Sequence, residues 1–163
     1  MEIYLLRHGI AEEPRPDKRD ADRALTSEGK KKLREILKLA RASGVRPGTI
    51  LSSPLRRALE TAAVAASVLG SSGEPVTCRA LLPGCRPEEV WDELRSHKDA
   101  AQILLAGHEP QLGRLAAYLL AAPSLQIDVK KGSLIRIDTD QFGPQPRGVL
   151  KWMLVPRFAS AVR

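Results

Sequence analysis

The chain has 163 residues, of which 43% are hydrophobic and 28% charged, and its formal net charge is +7. This length fits one domain, residues 1–163, and the apolar content excludes a disordered chain. The positive charge favours anionic partners. No basic stripe is interleaved with aromatic residues, as nucleic-acid stacking platforms require, so we expect no nucleic acid among the partners.

Apolar stretches are short and cysteines are few. The runs at 61–69 and 115–122 are too short to cross a bilayer, and the first apolar run meets Arg7 at once, unlike a secretory signal. Cys78 and Cys85 match no zinc-site spacing, and we expect free thiols. The sequence therefore predicts a cytoplasmic protein without membrane contact.

Periodicity in the first half predicts alternating strands and helices. Apolar residues repeat at helical spacing after Thr26 or Ser27, either of which can cap a helix that ends at Gly44. The predicted elements are a strand at 3–6, a charged surface loop at 12–22, this first helix, a strand at 49–51 and a helix at 55–69.

The second half continues the alternation. Its predicted elements are a strand at 76–80, a helix at 87–96, a strand at 102–106, a helix at 110–121 and two final strands at 133–138 and 149–155. This order predicts an α/β fold, a three-layer αβα sandwich around a mostly parallel, mixed sheet.

Three predicted strands end in cationic or imidazole side chains. Arg7 and His8 follow the first strand, Arg56 and Arg57 follow the second by a few residues, and His108 follows the strand at 102–106. Because parallel strands present their carboxyl ends at one edge, we expect these side chains around a common pocket that suits a phosphoryl group. One of the two adjacent arginines is expected to be an ordinary surface residue.

The remaining histidine, His97, lies between Ser96 and Lys98 at a predicted helix end. We expect it on the surface and outside the pocket.

The motifs resemble those of the histidine phosphatase superfamily, the phosphoglycerate-mutase-like phosphatases. The matches follow the family's order and span most of the chain. They are Arg7-His8-Gly9, Leu25-Thr26-x-x-Gly29, Ser53-Pro54-x-x-Arg57-Ala58-x-x-Thr61-Ala62 and Gly107-His108. The resemblance implies a phosphoglycerate mutase-like fold and a phosphatase activity.

The resemblance also implies a role for each matched residue. His8 would be the nucleophile that takes up the phosphoryl group as a covalent phosphohistidine. Arg7, Arg57 and His108 would bind the phosphate oxygens, and the alanine after Arg57 selects it over Arg56. The fixed cations would replace a metal, so the resemblance implies neither a metal nor a cofactor.

The chain departs from many family members at the expected position of a proton-donating acid. The stretch 80–85 contains no carboxylate, although Glu109, Glu12 or Glu13 could fold into that role. A phosphoramidate, with its labile P–N bond, needs such an acid less than an ester does.

This absence, the small size and the pattern Arg23-x-Leu25-Thr26 resemble the SixA-type phosphohistidine phosphatases. The implied partner is a phosphorylated protein, such as a histidine-containing phosphotransfer domain. The alternatives are a phosphatase of small phosphorylated metabolites and a non-catalytic phosphate-binding module.

Overall fold

The computed structural model describes residues 1–159 and 161. The strands are β1 (Glu2–Arg7), β2 (Thr49–Ser52), β3 (Val76–Thr77), β4 (Gln102–Gly107), β5 (Leu134–Asp138) and β6 (Val149–Leu154). The helices are α1 (Ser27–Ala42), α2 (Arg56–Leu69), α3 (Pro87–Ser96), α4 (Gln111–Leu119) and α5 (Pro156–Ala159), and 3₁₀ turns occur at Asp20–Asp22 and Arg79–Leu81. The single domain predicted for 1–163 stays a prediction, and its residues 160, 162 and 163 lie outside the described residues.

All six strands belong to one sheet with the order β3-β2-β4-β1-β5-β6. The pairs β3–β2, β2–β4 and β4–β1 are parallel, whereas β5 runs antiparallel to both β1 and β6. The central pair β1 and β4 aligns Arg7 with Gly107. The sheet is therefore mixed and mostly parallel, as predicted.

Helices cover both faces of this sheet. The chain first moves outward from β1 through β2 to β3 and then returns to β4. Because such crossovers are right-handed, the reversal sends the later helices to the opposite face. Accordingly, α1 packs against α2 on one face, and α3 packs against α4 on the other. The predicted three-layer αβα sandwich is confirmed.

Strand β1 contributes side chains to both layers. Ile3 and Leu5 lie in the apolar cluster beneath α3 and α4, whereas Tyr4 and Leu6 lie in the cluster beneath α1 and α2. All four are fully buried. This alternation explains why the strand reads as a continuous apolar run, since both of its faces are covered.

Two predicted boundaries are wrong. The strand predicted at 76–80 contains only Val76 and Thr77, because the chain then turns at Arg79–Leu81 and buries Leu81 completely. The helix predicted to reach about Ala121 ends at Leu119, since Ala121 adopts a left-handed conformation with φ 53°. Helix α5 was not predicted.

Candidate active site

The ring of His8 is oriented by the chain immediately after β1. Its main-chain N–H donates to Gly107 O at 3.0 Å, and Nδ1 lies 2.8 Å from Gly9 O. A carbonyl oxygen only accepts, so Nδ1 carries the proton and the lone pair of the neutral ring lies on Nε2. His8 is 6% exposed. This arrangement is suited to nucleophilic attack through Nε2.

Burial keeps this ring neutral. Burial is the largest cause that lowers the pKa of His8 to about 4, and the positive charges of Arg57, Arg7 and Lys131 contribute to this shift against the opposing hydrogen bond to Gly9. At neutral pH the free protein therefore holds His8 unprotonated and available as a nucleophile.

His108 lies beside His8 because β4 pairs directly with β1. The two ring centroids are 5.2 Å apart, and Nε2 of His108 hydrogen-bonds Ser53 Oγ at 2.7 Å. Among the described residues, Nδ1 of His108 is buried without a partner. Burial lowers the pKa of His108 to about 3, and His8 and Arg57 contribute to the shift. An arriving anion would offset these causes and favour the protonated ring.

The guanidinium of Arg7 is anchored next to these rings. Its Nη1 donates to Val129 O at 2.7 Å, and its Nε is buried without a partner in the described part of the chain. Burial lowers the pKa of Arg7 from its ordinary value. A tetrahedral oxyanion would satisfy the buried donor, and arginine donors match phosphate oxygens geometrically.

Helix α2 distinguishes its two adjacent arginines. Arg57 is 6% exposed; its Nη1 donates to Asp20 O at 3.0 Å, and its Nη2 lies 3.1 Å from Asp20 Oδ2. Arg56 is exposed and pairs with Glu60 at 3.0 Å on the helix surface. The choice of Arg57 as the pocket residue agrees with this placement, and the structure brings Arg7, His8, Arg57 and His108 together.

The matched motif residues hold the loop after β1 in place. Thr61 Oγ1 accepts from Gly9 N at 3.2 Å and donates to Arg57 O at 2.7 Å, so it links this loop to α2. At Gly29, an added Cβ would lie only 2.2 Å from Ile10 O. The glycine and the threonine of these motifs therefore permit the close approach that orients His8.

The carboxylates weighed as proton donors are placed differently. Glu109 is partly buried, its Oε1 accepts from Gly113 N at 2.9 Å, and burial raises its pKa. Glu12 is bound by Lys18 and by Ala24 N, and these hydrogen bonds lower its pKa. Glu13 is exposed. Of the three, Glu109 has the surroundings expected of a proton donor.

A groove of about 500 Å³ opens beside Glu109. Arg114, Tyr118 and Ile127 also line it, and none of the four candidate site residues that the structure brings together does so. His97 follows α3, with its Nε2 3.2 Å from Glu93 Oε1, and it lies outside the pocket formed by Arg7, His8, Arg57 and His108, as expected.

Two residues near the pocket were missed as site residues. Ser53 lies within a matched motif but was given no role, although it bonds His108. Asp20 lies in the loop interpreted as a solvated surface, although it contacts Arg57.

No helix among the described residues is long and apolar enough to cross a membrane, and no group of three or more His, Cys, Asp or Glu in the same part of the chain is placed to hold a metal ion.

Comparisons with known proteins identify a family and a fold. The model of the histidine phosphatase superfamily, branch 1, matches residues 3–82, which include Arg7, His8 and Arg57. An uncharacterised protein of Picosynechococcus sp. is 32% identical over 139 residues, 83% of each chain.

Solved structures share the fold. The protein histidine phosphatase SixA complexed with tungstate has a TM-score of 0.86 and 22% identity, over 97% of this chain and 99% of that one. A putative SixA from Agrobacterium tumefaciens has a TM-score of 0.77 and 24% identity, over 95% and 98%. A putative alpha-ribazole-5'-P phosphatase from Escherichia coli has a TM-score of 0.73 and 20% identity, over 96% and 98%. These structures show the fold, and the match to the family model shows the family: the chain belongs to the histidine phosphatase superfamily.

Proposed function

We propose that this phosphatase removes the phosphoryl group from phosphohistidine on a protein, through a covalent intermediate on His8. The observation that carries the proposal is the hydrogen bond from His8 Nδ1 to Gly9 O, which leaves Nε2 unprotonated in a ring that is close to the charges of Arg57 and Arg7. A histidine-containing phosphotransfer domain is a partner of suitable chemistry. We place the reaction in the cytoplasm, in keeping with the free thiols Cys78 and Cys85.

The first step transfers the phosphoryl group to the enzyme. The lone pair of His8 Nε2 forms a bond to phosphorus while the bond from phosphorus to the substrate nitrogen breaks, and the departing ring keeps the bonding electrons. Arg7 and Arg57 bind the non-bridging oxygens, on which charge is spread in the transition state. His108 completes the cradle.

The second step restores the enzyme. Water attacks the phosphorus of phospho-His8, the bond to Nε2 breaks, and its electrons return to the ring. The proton of the water passes to solvent, and inorganic phosphate leaves. Ser53 keeps His108 oriented through both steps by its hydrogen bond to Nε2.

The lack of an acid in the stretch 80–85 favours phosphohistidine over a phosphate ester as the substrate. Stretch 80–85 carries no acid, and the carboxylate of Glu109 is already bound to Gly113 N. A positioned acid accelerates the departure of a poor leaving group by about 10²- to 10⁴-fold, and a P–N bond needs that help less than a P–O bond.

Trapping of the labelled intermediate tests the proposal. The protein is mixed with ³²P-labelled phosphohistidine protein and with a labelled phosphomonoester, quenched in alkali and digested. We expect acid-labile label on the peptide that contains His8, faster labelling by the phosphohistidine protein, and no label in His8→Ala. Turnover that survives His8→Ala would exclude His8 as the nucleophile. If the protein is instead a non-catalytic phosphate-binding module, the wild type binds phosphate without turnover.

A phosphomonoesterase is the second candidate, because the pKa of Glu109 is raised by burial at the edge of a groove. Glu109→Gln retains an oxygen that accepts from Gly113 N but removes the proton donor. If an ester is the substrate, this variant loses ester hydrolysis by about 10²-fold or more. We expect phosphohistidine hydrolysis to change less than about threefold, as a substrate that needs no acid requires.

A further inference from the structure

Asp20 is a carboxylate that contacts Arg57 from the loop between β1 and α1. Its Oδ2 lies 3.1 Å from Arg57 Nη2, and its main-chain oxygen accepts from Arg57 Nη1 at 3.0 Å. Its Oδ1 accepts from Arg23 Nη1 at 2.8 Å, and Arg23 Nε donates to Glu12 O at 2.6 Å. Two arginines thus fix the carboxylate beside the site.

The position of Asp20 is on the solvent side of the cradle. Its side chain is 61% exposed, whereas that of Arg57 is 7% exposed. In an in-line displacement the leaving group departs opposite the nucleophile. Because His8 is buried, we expect the leaving group toward solvent, and the exposed carboxylate of Asp20 lies on the solvent side of Arg57. The charge of Asp20 also acts on His108.

Asp20 stays ionised in this setting. The hydrogen bond from Arg23 is the largest cause that lowers its pKa, and the charge of Arg57 adds to it against a partial desolvation. An ionised carboxylate cannot give a proton to a departing alkoxide. It can, however, attract a positively charged group.

We infer that Asp20 is a specificity-determining residue, which selects phosphoryl donors whose leaving group is a protonated nitrogen ring. The inference rests on the function proposed above and narrows its substrate class. A phosphorylated imidazole that is protonated on its other nitrogen departs as neutral imidazole, whereas the unprotonated ring must depart as an imidazolate anion. Asp20 favours the protonated ring and repels the negative charge that develops on an ester oxygen.

The bonds and electrons balance without a further reactant. The Nε2 lone pair of His8 forms the new P–N bond, and the bond to the substrate ring breaks. Its electrons remain on the departing nitrogen, and the proton that the substrate ring already carries stays on the opposite nitrogen. Neutral imidazole and phospho-His8 are the products of this step.

The test compares two substrates in matched variants. Phosphoimidazole and p-nitrophenyl phosphate are given to the wild type, Asp20→Asn and Asp22→Asn. Asparagine at position 20 keeps an oxygen for Arg57 but removes the charge. Asp22 lies on the same 3₁₀ turn and pairs with the exposed Arg19, so its variant is the control. We expect Asp20→Asn to lower the ratio of kcat/KM for phosphoimidazole to that for p-nitrophenyl phosphate by about fivefold or more. Asp22→Asn leaves the ratio unchanged.

The pH profile supplies a readout that a structural role would not move. The charged or titratable groups that face Asp20 are Arg23 in its own loop, Arg57 on α2 and His108 after β4. All three remain in Asp20→Asn. Loss of the carboxylate makes the substrate ring less basic, so the alkaline limb for phosphoimidazole moves down by about half a pH unit. No such shift is expected for the ester.

Failure of the inference about Asp20 and failure of the proposed function give different results. Equal losses on both substrates, with no shift of the alkaline limb, would show that Asp20 only positions Arg57 and would overturn the inference. A wild-type protein that prefers p-nitrophenyl phosphate to phosphoimidazole would overturn the proposed function itself. Asp20→Ser, with thermal unfolding measured alongside, repeats the comparison with a second uncharged side chain.

Discussion

Ser53 Oγ lies 2.7 Å from Nε2 of His108, and both side chains are buried. The serine is held in turn, because Leu55 N donates to its Oγ at 3.3 Å at the start of α2. The residue that follows β2 therefore contacts the residue that follows β4. The orientation of His108 depends on a residue that precedes it by 55 positions.

Replacement of Ser53 by Ala should impair catalysis more than binding. The variant leaves Nε2 of His108 without its partner, and the ring loses its fixed orientation. We expect kcat to fall about tenfold, in line with the loss of a buried hydrogen bond of 1–2 kcal/mol. Steady-state kinetics with phosphoimidazole measure the change. Ser67→Ala, at an exposed position of α2, is the control, and an unchanged kcat in Ser53→Ala would contradict the orienting role.

The two adjacent arginines of α2 should differ sharply in function. Arg57→Ala removes a buried donor for the phosphate oxygens, and we expect kcat/KM to fall by about 10²- to 10³-fold. Arg56→Ala removes an exposed pair with Glu60, which contributes little. Parallel assays of the two variants check the difference. Similar losses in both would show that net charge, and not the position of Arg57, governs phosphate binding.

The site histidines should make stability depend on pH. Above about pH 6.5 the ring of His8 is neutral in both the folded and the unfolded chain. Between pH 6.5 and about 4 the unfolded chain binds a proton that the folded chain does not, so stability falls as the pH falls. Between pH 7 and pH 5, we expect the free energy of unfolding to fall by about 1–2 kcal/mol less in His8→Asn than in the wild type.

Urea unfolding at the two pH values measures this difference. The decrease due to His108 extends further into acid, because its folded pKa is about 3, and most of it remains in His8→Asn because burial is the largest cause of that shift. An identical decrease in the wild type and the variant would mean that folded His8 titrates normally.

Gly29 in α1 should tolerate no side chain. A Cβ at this position would lie 2.2 Å from Ile10 O, so Gly29→Ala must displace the loop that follows His8. We expect a loss of about 1–3 kcal/mol in the free energy of unfolding, together with reduced activity. At Gly48 no atom lies within 4 Å of the added Cβ, and Gly48→Ala is therefore the matched control. Denaturant titration compares the two, and equal stabilities would contradict the close packing.

The sequence predicts the central part of the site better than its surroundings. Arg7, His8 and His108 end strands that are buried on both faces, and such strands give continuous apolar runs that are easily recognised. The short strand β3 gives no such run, because Val76 and Thr77 are exposed at the sheet edge. The contact of Asp20 with Arg57 joins a charged loop to a helix 37 residues later, and no local pattern encodes that distance.

The register of β1 and β4 has a consequence for inactivation. His8 and His108 each follow one residue of the aligned pair Arg7 and Gly107, so the spacing of their rings derives from the spacing of neighbouring strands, about 4.8 Å. Partial loosening of the peripheral helices or of the loop leaves that spacing intact. Separation of the two rings requires the middle of the sheet to open, and we expect such central, buried strands to open only at a free energy close to that of global unfolding. Each molecule that keeps its sheet therefore keeps His8 and His108 side by side, and loosening of α2 displaces Arg57 before the two histidines separate.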